Sequence, residues 1–150
     1  MERDNKGLTE SRKLEHIDIC LKEEVRGRKV TSGLERYRFH HNALPEIDFA
    51  DVTPEASFLN KKLKVPLLVS SMTGGTTEAA RINRRLAEMA QSKGWALGVG
   101  SVRAAIERKE LASTFAVRQY APSIPILANL GAVQLNYGYG PTSAARRLTL

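Results

Sequence analysis

Apolar residues recur along this chain with two different periods, and the place where the period changes divides it. From Ser11 to about Glu24, Leu14, Ile17 and Leu21 fall at helical spacing with Cys20 beside them, which predicts a short amphipathic helix with Cys20 in the core. The first ten residues, MERDNKGLTE, carry no such period and are expected to fray. Glu24 to Gly33 is charged and glycine-interrupted, the pattern of a mobile loop. Within Phe49 to Val65, Ser57-Phe58-Leu59 and Lys62-Leu63-Lys64-Val65 flank a polar Asn60-Lys61 step, which predicts a β-hairpin.

Beyond Val65 the pattern becomes a regular alternation. Val65 to Ser71 is a continuous apolar run, as in a strand buried on both faces of a parallel sheet. Thr76-Thr77-Glu78 supplies helix caps, Ile82, Leu86, Met89 and Ala90 mark one helical face, and Gly94 suits a helix end, so a helix over about 77–93 is expected. Strands at Trp95 to Val99 and Pro125 to Asn129 enclose a second main helix at 111–121. Short apolar strands alternating with helices predict right-handed crossovers and a parallel α/β sheet. Thr142 to Leu148 then looks like a capped helix with no C-cap or strand after it, the pattern of an interrupted sequence.

Composition narrows the class. With 42% apolar and 26% charged side chains, 150 residues suit a single globular domain. No apolar run is long enough to span a bilayer and the first residues lack a signal-peptide core, so a soluble, cytoplasmic protein is expected. Cys20 is the single cysteine, which excludes an internal disulfide or a multi-cysteine zinc site. His16, His40 and His41 lack helical ligand spacing, and no protein-bound metal is expected from them.

The net charge of +7 is uneven: residues 1–64 carry 13 basic and 12 acidic side chains, residues 65–150 carry 10 and 4. Such a surplus suits an anion. A basic nucleic-acid-binding fragment is one alternative, but the aromatics are scattered and no recognition module is present, so no nucleic-acid partner is expected. Neither a GxGxxG fingerprint, since Arg103 stands where its third glycine belongs, nor a GxxxxGK[ST] loop occurs.

Ligands of parallel α/β folds bind at the carboxyl ends of strands. Three such ends are small and polar here: Ser70-Ser71-Met72-Thr73-Gly74-Gly75, Gly98-Val99-Gly100-Ser101-Val102-Arg103, and Ala128-Asn129-Leu130-Gly131-Ala132. Taken singly, each is an ordinary tight turn, a surface arginine or a helix cap. Their convergence at one level of a sheet is the signal. Arg12, Lys13 and His16 stand in the first turn of the predicted leading helix, where the macrodipole disfavours cations, and they share one face that can meet an anion.

These residues resemble type 2 isopentenyl diphosphate isomerase, a flavin-dependent family. The resemblance rests on Arg12-Lys13-Leu14-Glu15-His16-Ile17, Phe39 to Glu46, Ser71-Met72-Thr73-Gly74-Gly75, Gly100-Ser101-Val102-Arg103 and Asn129-Leu130-Gly131-Ala132. It implies an FMN-binding TIM (β/α)8 barrel, with residues 1–150 as the N-terminal part of one domain: an extension and hairpin over 1–64 and the first three βα units over 65–150. It also implies a homo-oligomer, a tetramer or octamer, with Mg2+ on the diphosphate substrate and NADPH as reductant. Ser71, Met72, Thr73, Ser101 and Asn129 would contact FMN; Arg12, Lys13, Ser101, Val102 and Arg103 would lie along the diphosphate. The family's metal-binding glutamate, a flavin-contacting lysine and the loops for the FMN phosphate have no counterpart in these residues. Another FMN-dependent barrel, of the 2-hydroxy acid oxidase kind, shares the glycine-bearing strand ends but has no need of Arg12-Lys13.

Overall fold

A computed structural model describes residues 5–147, in two compact units, Met1–Thr53 and Pro54–Leu150. In the first unit a helix, α1, runs over Asn5–Lys22. It starts earlier than the sequence pattern predicts, and of the segment expected to fray residues 1–4 lie outside the described residues. Lys6, Leu8 and Glu10 are good helix formers, so once the later turns are nucleated the backbone ladder extends through them at little cost. Side chains stitch its surface: Ser11 donates to Glu15 at 2.9 Å and Lys22 pairs with Asp18 at 3.1 Å.

No described side chain of this unit is buried, so the apolar stripe of α1 has no core of its own unit to enter. Cys20, expected in a core, is exposed, as is Leu21. The rest of the unit is irregular, with single 3-10 turns at Leu34–Arg36 and Phe49–Asp51. Local polar contacts shape both turns. The Asp48 carboxylate accepts from the Ala50 amide at 2.8 Å, and Thr31 donates to Glu35.

The second unit opens with the expected hairpin, β1 (Ala56–Phe58) paired antiparallel with β2 (Lys61–Leu63). Its two-residue turn is Leu59-Asn60, one position before the expected Asn60-Lys61, with φ of 50° and 58°. Positive φ at both central residues marks the turn type whose twist matches a hairpin; Asn60 tolerates it and Leu59 bears the cost.

Next come β3 (Leu68–Val69), α2 (Thr77–Lys93), β4 (Ala96–Ser101), α3 (Arg103–Glu107), β5 (Ile126–Asn129) and α4 (Pro141–Arg147). The three strands form a parallel sheet in the order β3-β4-β5. The (β/α)8 barrel expected from the sequence is therefore corrected. The described residues form this open three-stranded sheet and a separate two-stranded hairpin, and β3 and β5 each pair only with β4. Three strands paired in a row, with no pairing between the outer two among the described residues, do not form a barrel.

Burial on both faces belongs to β4, whose residues from Ala96 to Gly100 are all buried. The apolar run at 65–71, expected to be such a strand, contributes only two ladder residues, and Leu68 is 45% exposed. Pro66 brings no amide to a ladder, and an edge strand has one neighbour to cover it. The predicted helix α2 matches its expected limits: Thr76 caps it by accepting from Ala79 at 3.1 Å, and Gly94 ends it at φ 67°.

The helix expected at 111–121 is replaced by α3 followed by 3-10 turns at Lys109–Phe115 and Arg118–Tyr120. Thr114, Phe115 and Val117 lower helix propensity there, and the Thr114 hydroxyl donates to the Leu111 carbonyl at 2.6 Å, closing a turn locally. Phe115 and Val117 instead join Leu97, Val99 and Val102 in the core. α4 begins on Pro141, a favoured first helical residue one position before the expected start, and Leu148 of the expected helical segment lies outside the described residues. Among the described residues no helix is long and apolar enough to cross a membrane.

Candidate functional site

The three polar strand ends identified from the sequence come together at one edge of the sheet. Ser101, the last residue of β4, pairs in register with Asn129, the last of β5. Between Gly98 and Ser101 β4 advances three residues while β5 advances two, from Leu127 to Asn129, so β4 carries a bulge just before its polar end. A bulge of this kind re-aims the side chain that follows it. Ser101 and Asn129 are exposed and Ser71 is half-buried, and none of these three side chains has a hydrogen-bond partner among the described residues. Two hydroxyls and an amide are thus offered outward at the carboxyl end of the strands. Met72 stands exposed beside Ser71, whereas Thr73 is buried.

The glycines here serve a close approach within the protein. A Cβ on Gly98 would lie 2.7 Å from the Ser71 Oγ, one on Gly100 would collide with the Thr73 carbonyl, and one on Gly74 would enter the Phe115 ring. The loop after β3 therefore lies tightly against the end of β4. The Thr73 carbonyl accepts from the Gly100 amide at 3.2 Å and from Asn83 Nδ2, also at 3.2 Å. Asn83 donates in addition to the Thr114 carbonyl at 3.2 Å, and the Gly75 amide donates to Thr114 Oγ1 at 2.9 Å. Asn83 and Thr114 were not singled out in the sequence. Its spacing, four residues from both Ala79 and Ala87, puts Asn83 on one helical face with them, and the fold shows that this face of α2 is buried.

The basic residues are placed differently. Arg103 opens α3, exposed, and its Nε donates to Glu107 at 2.6 Å. The hydrogen bond and charge of Glu107 hold the Arg103 pKa above its ordinary value, so the guanidinium stays charged. A carboxylate on Nε leaves the outer nitrogens of the fork for an anion. Val102 is fully buried and its amide donates to the Asn129 carbonyl at 2.9 Å, tying the second strand end to the third.

Arg12 is exposed on α1 in the first unit; Lys13 lies on the same helix, its side chain outside the described set. Because α1 begins at Asn5, both residues and His16 sit in mid-helix. The unfavourable dipole position expected for them is therefore corrected, since that effect fades beyond the first turn. Elsewhere, arginines of α2 are partly matched: Arg81 pairs with Glu78 at 3.0 Å, Arg84 pairs with Glu88 at 2.8 Å and lies 4.9 Å over the Tyr120 ring. Among the described residues no three His, Cys, Asp or Glu side chains cluster as metal ligands.

No family model matches the chain. Curated relatives do. Over 132 residues, 88% of its length, the chain is 60% identical to a protein of Nostoc sp., of which the match covers 38%. A protein of Oceanobacillus iheyensis is 54% identical over 141 residues, 94% of this chain and 40% of that protein. One of Rickettsia prowazekii is 52% identical over 130 residues, 87% of this chain and 38% of that protein. All three bear one name. They are isopentenyl-diphosphate delta-isomerases. The chain thus spans about two fifths of the length of the isopentenyl-diphosphate delta-isomerases it matches. A match of 141 residues in a chain of 150 runs through both units and all three polar strand ends, wherever it starts.

Proposed function

We propose that this chain serves the interconversion of isopentenyl and dimethylallyl diphosphates, in the FMN-dependent manner of the type 2 isomerases. The observation that carries the reading is the 60% identity to the Nostoc isomerase, in a chain whose strand ends supply the residue blocks of that family. The site's chemistry fits a flavin: the Ser71 and Ser101 hydroxyls and the Asn129 amide, without partners among the described residues, are the mixed donors and acceptors that a heterocycle edge takes. When bound, FMN kept reduced by NADPH would supply acid or base chemistry to a reaction in which one proton adds to the alkene and another leaves.

The protein's own residues have simpler tasks. Ser71, Met72, Thr73, Ser101 and Asn129 hold the flavin at the strand ends. Arg103 offers a fixed positive fork to the diphosphate, Ser101 stands two residues before it, and Val102 anchors that segment to β5 through its amide. Arg12 and Lys13, on α1 of the first unit, are the further diphosphate-binding residues that the resemblance implies. Magnesium would accompany the diphosphate and offset its charge; among the described residues no three His, Cys, Asp or Glu side chains cluster to hold it. A homo-oligomer, a tetramer or octamer, is part of this reading, and light scattering that finds a monomer overturns that part.

The test is conversion of isopentenyl diphosphate in deuterated water with FMN, NADPH and magnesium. The expected result is deuterated dimethylallyl diphosphate, formed only when FMN is present. Conversion that is indifferent to FMN, or no conversion, overturns the reading.

A further inference from the structure

We propose that Asn83, backed by Thr114, is a positioning residue that holds the Ser71–Thr73 segment in its ligand-ready place beside Ser101. The identity of the ligand rests on the flavin reading above; the clasp itself rests on geometry. Asn83 is 5% exposed, on the face of α2 where its neighbours at Ala79 and Ala87 are fully buried alanines. A primary amide in such a place is costly unless its donors are used. Both are: one reaches the Thr73 carbonyl and one the Thr114 carbonyl, each at 3.2 Å. The planar amide therefore fixes the spacing between the loop after β3 and the 3-10 segment Lys109–Phe115.

A second link runs parallel to the first. The Thr114 hydroxyl donates to the Leu111 carbonyl at 2.6 Å, so its lone pair is what the Gly75 amide meets at 2.9 Å. Phe115 closes against Gly74, where no side chain other than hydrogen fits. The same Thr73 carbonyl also receives the Gly100 amide at 3.2 Å, which locks the loop to the end of β4, one residue before Ser101. These restraints come from α2, the Lys109–Phe115 segment and β4, while Met72 in the same loop is exposed. Asn83 is buried and acts through the loop it holds.

The experiment compares Asn83→Leu, Thr114→Val and Thr114→Ser with Ala87→Gly, which perturbs the same face of α2 away from the loop. Amide hydrogen exchange at Gly75 and Gly100 and the affinity for free FMN, by fluorescence quenching, are read at matched loss of melting temperature. Asn83→Leu and Thr114→Val should speed loop exchange well beyond Ala87→Gly and weaken FMN binding by about tenfold. Thr114→Ser, which restores the hydroxyl, should return both readouts to wild type. Loop exchange no faster than in Ala87→Gly, or faster exchange with unchanged FMN affinity, overturns the proposal. If wild type takes up no FMN while loop exchange still rises in the variants, the flavin reading fails and the clasp is supported.

Discussion

The two units of this chain reach order by different routes. In Pro54–Leu150, Phe115, Leu97, Val99, Val102 and Val117 are fully buried around one central strand, and the site loop is bolted to that core by Asn83 and Thr114. In Met1–Thr53 no described side chain is buried, and Phe39, Leu44 and Phe49 stand almost wholly in solvent. What shapes that unit is local: a helix ladder, exposed ion pairs and single capped turns. Local interactions of this kind contribute tenths of a kcal/mol each, whereas burial of one aromatic side chain contributes several. The comparison teaches that residues proposed for one reaction, Arg12 and Arg103 among them, stand on units that differ sharply in buried core.

The contrast is broken most severely by truncating an aromatic in each unit. Phe115→Ala should destabilise the second unit by about 3 to 5 kcal/mol, while Phe39→Ala should leave stability within about 0.5 kcal/mol, both read by denaturant unfolding. Equal effects would mean that the first unit has a core of comparable weight. Charge removal comes next. Arg103→Met, Arg12→Met and Lys13→Met should each raise the KM for isopentenyl diphosphate about tenfold to a hundredfold with flavin content unchanged, as expected for a hydrogen bond to a charged group of about 1.5 to 3 kcal/mol. If Arg12→Met and Lys13→Met stay within twofold of wild type, the helix of the first unit presents only a solvated face.

A smaller effect is expected at the third strand end. Asn129→Ala removes an exposed amide, so the melting temperature should hold while FMN affinity falls by roughly 1 kcal/mol, about fivefold. Unchanged affinity removes Asn129 from the flavin contacts. The smallest effect is a pH response in the first unit. The hydrogen bond from Thr31, with the backbone at Glu35 and Gly33, lowers the Glu35 pKa in the folded state. Stability from a depressed carboxylate is present above its unfolded pKa and is lost as pH falls through the folded value, so the Leu34–Arg36 turn should loosen only on acidification. An NMR titration of the Glu35 carboxyl carbon checks this, and Thr31→Val should return the midpoint toward the ordinary glutamate value.

Much of the second unit was legible in the residues. Thr76 and Gly94 bracket α2 because an N-cap oxygen and a left-handed C-terminal residue are chemical requirements that few side chains meet. Leu59-Asn60 lies one residue from the expected hairpin step because alternation locates a turn but the backbone twist selects its register. The polar strand ends were legible too, since small and polar residues interrupt apolar strands there. Asn83 was not, because a polar residue in a helix reads as a solvent-facing one unless the buried face is known. The helix expected at 111–121 is absent, and the run at 65–71 forms a parallel strand of only two residues at the sheet edge, for a related reason: apolar runs state that burial occurs, and neighbours decide its form.

By itself, then, the sequence determined the α/β alternation, the cap residues, the positive surplus beyond Val65 and the chemical blocks at the strand ends, all of which depend on residues near one another in the chain. Tertiary structure alone decided that the parallel sheet has β4 at its centre, that Cys20 is exposed, and that Gly74, Gly98 and Gly100 leave room for neighbouring protein atoms. It also decided that Asn83 and Thr114 meet at one carbonyl-lined loop, 31 positions apart in the chain. Such contacts follow from which surfaces close on one another, and that is set by the summed burial of the whole core, a quantity no local window of residues contains.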